Sequence, residues 1–156
     1  MPEPFAAPSP AAFSLPGGCH CGSVRLAYLA SSPVAETAPR ACDCSYCRKH
    51  GAAYVSDPTG SLRIRVSGEG GLLSYRQGSE AALFRMCAQC GVLVAVTYEQ
   101  DGRWFAAINA GCLDDRDAFA PAVDASPQLL SREQKIERWT RLWVPDVGWE
   151  GVSGQG

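Results

Sequence analysis

Residues 82–98, ALFRMCAQCGVLVAVTY, hold two apolar runs, ALFRM (82–86) and VLVAVTY (92–98), on either side of Cys87-Ala88-Gln89-Cys90-Gly91. Short runs of that composition bounded by turn residues read as strands. The CxxC between them reads as a zinc-knuckle turn, whose Gly91 relieves crowding where backbone NH groups turn toward sulfur. Strand, metal-binding turn and strand together predict a β domain that carries metal at its turns.

The same signals recur outward from this stretch. Val24, Leu26 and Tyr28 alternate with Arg25 and Ala27, and Leu62, Ile64 and Val66 alternate with Arg63 and Arg65. That period of two marks half-buried strands. LLSYR (72–76) and RWFAAIN (103–109) add two more between the turn signals SGEGG, RQGSE and QDGR, with Asp101-Gly102 as a hairpin signal. Helix is confined to a turn at Ser45–His50, a turn at Asp114–Phe119 and an ambiguous segment from Ser131. There Ser131 and Gln134 have the form of a capping box and Ile136, Trp139 and Leu142 recur at helical spacing, while WTRLWV also suits a strand. No long internal repeat and no linker divides the chain. The prediction is a mainly β, mostly antiparallel single domain over 15–150, between a disordered Pro- and Ala-rich leader at 1–14 and a flexible tail at 151–156.

Lys plus Arg number 14 and Asp plus Glu 16, for a formal charge of -2 without a basic block. The electrostatic footprint of a nucleic-acid or anionic-lipid binder is missing. No apolar run approaches the roughly 18 residues of a membrane helix. The N-terminus has neither the basic nor the apolar region of an export signal, so the expected location is the cytoplasm. The eight cysteines fall short of the share, roughly 8–10%, that marks disulfide scaffolds, and in a reducing compartment they stay thiols.

Cys19-His20-Cys21 puts two sulfurs on one side of an extended segment, where both reach one ion, and Cys42 and Cys44 do the same. A tetrahedral zinc takes two or three ligands from one segment and the remainder from elsewhere. Cys19, Cys21, Cys87 and Cys90 make one closed site that ties the N-terminal strand to the hairpin before Val92. Cys42, Cys44 and Cys47 then form a set of three. Three ligands and an open position characterise a catalytic zinc, whereas closure by Cys112, His50 or His20 would make a second structural ion. Spacing leaves both open. Cys112, beside Gly111 after an apolar strand, reads as a buried core residue, His20 as pointing away from the ion, and His50 as lying on the outer side of a helical turn.

GGCHCG (17–22), CDCSYCRKHGA (42–52), FRMCAQCGVLV (84–94) and NAGCLDD (109–115) together resemble the glutathione-dependent formaldehyde-activating enzyme family, of which centromere protein V is a distant relative. The resemblance covers about residues 17–120. It implies a tent-like, mainly β zinc fold of the kind found in a Rab exchange-factor chaperone and in methionine sulfoxide reductase B. It also implies a structural zinc on Cys19, Cys21, Cys87 and Cys90 and a catalytic zinc on Cys42, Cys44 and Cys47. The implied activity is the reversible condensation of glutathione, as co-substrate, with formaldehyde to S-hydroxymethylglutathione, a carbon-sulfur lyase reaction. The chain departs from the family pattern after residue 120, where KIERWTRLWVPDVGW lacks the family's His-Ile pair, and at Cys112, where a small or hydroxyl residue is usual.

Three thiolates on one Zn²⁺ leave a net charge of -1, which suits an incoming thiol better than activation of water. Arg48 and Lys49, directly after the last ligand, are candidates to meet the carboxylates of a glutathione-type substrate, and Tyr46 is a candidate pocket wall. Asn109, Asp114 and Asp115 lie in the family-like loop. Two rival readings are a zinc-stabilised binding module without chemistry and a redox protein using Cys87 and Cys90, the latter without the βαβ context of thioredoxins. The expected partner is a small thiol or thiol adduct, and a homodimer is compatible with the sequence.

Overall fold

The computed structural model describes residues 12–67 and 70–151. Most of the leader predicted at 1–14 and of the tail predicted at 151–156 lies outside the described residues. The elements in chain order are β1 (Phe13–Gly18), β2 (Val24–Ala30), β3 (Arg40–Cys42), α1 (Ser45–His50), β4 (Ala53–Val55), β5 (Ser61–Val66), β6 (Leu72–Tyr75), β7 (Leu83–Cys87), β8 (Leu93–Gln100), β9 (Arg103–Asn109), β10 (Val123–Ala125), α2 (Arg132–Leu142) and β11 (Asp146–Glu150). They build a mainly β structure, as predicted, with one sheet ordered β1-β2-β5-β11 and a second ordered β10-β3-β4-β9-β8-β7-β6. Pairing is antiparallel apart from β11 on β5 and β10 on β3.

The alternation read from the sequence is physical. Val24, Leu26 and Tyr28 of β2 and Leu62, Ile64 and Val66 of β5 are buried, while Arg25 and Arg65 point outward. On that outer face Arg63 and Arg65 pair with Asp146 (3.0 Å) and Glu150 (3.1 Å) of β11. β8 reads as a continuous apolar run because both of its faces are covered. Met86 pairs with Leu93 but Arg85 pairs with Ala95, so Val94 is the extra residue of a bulge. Val94 and Ala95 consequently both join the core built from the two sheets, with Leu26, Ile64 and Ile108. The other face of β7–β9 carries Phe84, Val96, Phe105 and Ala107, packed under Trp139 of α2 and Trp143 at its C-cap.

Turn chemistry sets the connections. Asp101 (φ 54°) and Gly102 (φ 82°) both adopt the left-handed conformation, which gives the tight turn expected between β8 and β9. The ambiguous segment from Ser131 is helical because its capping box forms. Ser131 Oγ accepts from the Gln134 backbone NH (3.1 Å) and Gln134 Oε1 accepts from the Ser131 NH (2.9 Å). The strand-like end of WTRLWV is Val144, which leaves the helix and bridges to Ala106. β1 starts at Phe13, inside the segment predicted as leader. Its Pro16 is tolerated because β1 is an edge strand.

Candidate metal centres

The turn after β1 carries Cys19 and Cys21, and the β7–β8 turn carries Cys87 and Cys90. Cys21 Sγ lies 3.7 Å from Cys19 Sγ and 3.7 Å from Cys87 Sγ. A tetrahedron with zinc-sulfur bonds of roughly 2.3 Å has edges of about 3.8 Å, so this donor set fits a four-thiolate zinc. Backbone NH groups point at the sulfurs: Val24 donates to Cys19 (3.3 Å), and Gln89 (3.3 Å) and Cys90 (3.4 Å) donate to Cys87. Burial pushes the Cys87 thiol up, but the Ser23 hydroxyl 3.1 Å away and these NH groups outweigh it and bring the thiol down to about 6.

The second cluster is built by β3, α1 and β4. Cys42 ends β3. Cys44 is the N-cap of α1 and accepts from the Cys47 NH at 3.4 Å, which folds the CxxC onto one turn. The three sulfurs lie within 4.8 Å of one another, and no further His, Cys, Asp or Glu joins the group among the described residues. Gly51 (φ 62°) ends α1 and returns the chain as β4, placing the Tyr54 hydroxyl 3.2 Å from Cys47 Sγ. Gln77 Nε2 donates to Cys44 Sγ at 3.8 Å. The hydrogen bond with Cys47 lowers the Cys42 thiol to about 6 against its burial, and the same bond holds the Cys47 thiol up. The donor chemistry suits zinc here as well, with three protein ligands instead of four.

The trio opens onto a cleft of about 440 Å³. Phe84, Val96 and Ala107 from the sheet, with Trp139 of α2 and its C-cap Trp143 stacked at a centroid distance of 5.0 Å, supply its apolar surface. Arg40, Lys135 and Arg138 supply its charge. Arg40 lies two residues before Cys42 on β3 and opposite Tyr54 on β4, so all three share a face. Its Nη2 donates to Ser56 Oγ (2.8 Å), which in turn donates to the Leu142 carbonyl (2.9 Å).

The other residues singled out from the sequence lie elsewhere. Arg48 and Lys49 are exposed on the outer side of α1, because the helix turns Cys47 inward, and they border a separate shallow depression. Tyr46 is packed between Tyr75 (5.2 Å) and Phe84 (4.6 Å) and does not line the cleft. His50 is exposed against Tyr46, and His20 is exposed. Cys112 is buried and donates to the Leu93 carbonyl (3.2 Å). Burial, then the nearby Cys19 and Cys90, push its thiol up to about 11, and it joins neither cluster. Asn109 caps the following turn through the Gly111 NH (3.3 Å) and donates to Leu93 O (2.9 Å), and Asp114 faces Arg25 at 4.0 Å. Asp115 precedes a 3-10 turn without a side-chain cap. Arg40, Gln77, Lys135 and Arg138 carried no sequence signal, since only the tertiary fold brings positions 40, 77 and 135–138 together.

A crystal structure of a Rhodobacter sphaeroides protein, a structural-genomics target, is similar to this chain at 27% identity with a TM-score of 0.51. The match covers 69% of this chain and 99% of that one. Residues 14–126 match the family model described as glutathione-dependent formaldehyde-activating enzyme, leaving α2 and β11 beyond the matched segment. Two sheets, a four-cysteine cluster and a three-cysteine cluster agree with that match over most of the sequence: the chain belongs to the glutathione-dependent formaldehyde-activating enzyme family.

Proposed function

We propose that the chain makes and breaks the carbon-sulfur bond between formaldehyde and a thiol of the glutathione type, as a lyase working in both directions. Cys42, Cys44 and Cys47 hold the zinc that serves the reaction, and Cys19, Cys21, Cys87 and Cys90 hold one that serves the fold, within a single domain over 15–150. The observation that carries this reading is the contrast between the clusters: four sulfurs in the first, three in the second, and only the second facing the cleft. When bound by the trio, zinc supplies a fourth position that keeps a thiol in its thiolate form at neutral pH.

The protein's own groups prepare that position. Tyr54 and Gln77 hydrogen-bond Cys47 and Cys44 and fix the orientation of the ligand sulfurs. Phe84, Trp139 and Trp143 exclude water from one side, so formaldehyde meets sulfur in preference to hydroxide. In the synthetic direction a sulfur-carbon bond forms as the carbonyl π bond opens, and the thiol proton ends on the new hydroxyl. In reverse the hydroxyl proton is lost and sulfur leaves with the bonding pair. A reducing cytoplasm is where seven ligand thiols persist, and no helix of the described residues is long and apolar enough to cross a membrane.

The test is metal content and turnover of formaldehyde plus glutathione on one sample. Two zincs per chain are expected, and Cys44→Ser should retain one zinc and a cooperative melt while losing turnover. A Cys44→Ser protein that unfolds as Cys87→Ser does would make the trio structural and leave a binding module as the better reading.

A further inference from the structure

The cleft in front of the trio is electrically one-sided. Arg40, Lys135 and Arg138 line it, and among the described residues no Asp or Glu does. None of the three belongs to an ion pair among the described residues. Asp43, next to Cys42 in sequence, has its oxygens engaged by Ser126 Oγ (2.6 Å) and Gln128 Nε2 (2.9 Å). Like charges lining one cleft repel one another, and an anion placed among Arg40, Lys135 and Arg138 would relieve that repulsion. Two of the three cations sit on α2, outside the segment matched by the family model, so this wall belongs to the chain's own C-terminal part.

Resting on the thiol-binding reading above, we propose that Arg40, Lys135 and Arg138 form an anion subsite that selects thiols bearing a carboxylate over neutral thiols and over amino thiols without one. A carboxylate gains charge-assisted hydrogen bonds from the two guanidinium groups. The ammonium of an amino thiol without a carboxylate, such as cysteamine, finds three cations and no carboxylate among the described lining residues. Selection thus comes from repulsion as much as from attraction.

The experiment uses cobalt(II)-loaded protein, whose sulfur-to-cobalt charge-transfer band reports entry of a thiol, titrated with 3-mercaptopropionate, 2-mercaptoethanol, cysteamine and glutathione at one ionic strength. 3-Mercaptopropionate should bind about tenfold or more tighter than 2-mercaptoethanol, with cysteamine weakest. Arg138→Gln and Lys135→Gln should each shrink that ratio while leaving 2-mercaptoethanol binding unchanged. A ratio near one, or one that neither variant alters, overturns the subsite and leaves thiol binding intact. Cysteamine binding as tightly as 3-mercaptopropionate overturns the selection against a lone ammonium. If no thiol perturbs the cobalt spectrum, the thiol-binding reading itself falls. The subsite is then decided by quenching of Trp139 and Trp143 fluorescence with 3-(methylthio)propionate: quenching that Arg138→Gln abolishes supports it, and no quenching overturns it.

Discussion

The hydroxyl of Tyr54 lies 3.2 Å from the sulfur of Cys47, across a turn that exists because Gly51 adopts a left-handed conformation (φ 62°). Burial, then the neighbouring thiolates, raise the tyrosine pKa, so the phenol keeps its proton and serves as a donor at any ordinary pH. In the proposed zinc site this bond would orient the Cys47 sulfur from outside the coordination sphere.

Tyr54→Phe keeps the ring and removes only that donor. Outer partners of metal ligands are worth roughly 10- to 100-fold in affinity, and a loss in that range is expected at the three-cysteine site alone. Competition with a chromophoric chelator measures it. Unchanged affinity would show the contact to be incidental.

Cys87→Ser strikes the other cluster, which joins the turn after β1 in one sheet to the β7–β8 turn in the other. Cys87 is fully buried, so the variant loses the metal and the link between sheets together. Its Tm should fall by roughly 10 °C or more, or folding should fail. Chelation of the wild-type protein under conditions that strip both metals should reproduce the shift. A variant melting with the wild type would mean that the core holds the sheets together unaided.

Arg85 is the largest fully buried polar side chain among the described residues, with its guanidinium carbon 5.2 Å from the Trp104 ring and 5.0 Å from the Trp149 ring. It donates to Thr97 Oγ1 (2.9 Å) and Ser74 Oγ (3.0 Å). Burial, then Arg76, lower its pKa to about 10, which leaves it charged at neutral pH. Arg85→Met keeps the apolar stem but forfeits the ring contacts and strands the Thr97 hydroxyl. Urea unfolding should show a loss of about 2–4 kcal/mol. A change under about 0.5 kcal/mol, the level of ordinary surface substitutions, would contradict the structural role.

Asp57 ties two turns together: one oxygen accepts from the Ser31 NH (2.7 Å) and hydroxyl (2.6 Å), the other from the Thr59 NH (2.8 Å) and hydroxyl (2.8 Å). Burial favours the neutral acid, but the four donors prevail and its pKa lies below the ordinary carboxylate value. The unfolded chain therefore takes up this proton first on acidification. Asp57 adds stability above about pH 4 and loses it as pH falls through the lower folded value. Asp57→Asn should cost about 1–3 kcal/mol at pH 7, with the gap to wild type narrowing below about pH 4. A gap of constant size between pH 7 and pH 3 would contradict that linkage.

What the sequence disclosed and what it withheld follow from the range of the forces involved. β2, β5, β8 and β9 were legible because their burial is periodic or continuous over five or more residues, and Asp101-Gly102 because turn chemistry is local. The two cysteine clusters were legible because ligand geometry constrains spacing within each segment. β3, β4 and β10 have three residues each, too few to show a period, and each is a strand only by virtue of its neighbours. β11 follows Pro145 and pairs in parallel with β5, some eighty residues earlier, so nothing near it in sequence announces the partner. The cleft was the least legible part. Arg48 and Lys49 stood beside the ligands in sequence, yet one turn of α1 carries them to the outside, while Arg138 reaches the cleft from a helix more than ninety residues away.

The two clusters sit on opposite faces of the central strands: Cys19 and Cys87 in the core between the sheets, Cys44 and Cys47 in the core under α2. Framework and recognition are thereby assigned to different layers, and one of those layers is a single C-terminal helix joined to the rest by its two ends. Such a part is interchangeable. Grafting the corresponding helix of a relative in place of residues 131–143, with β11 kept, should exchange the preferred thiol while the inter-sheet cysteine cluster and the melting cooperativity stay as they are. In this architecture a new substrate can be acquired by replacing a cover, without rebuilding the vessel beneath it.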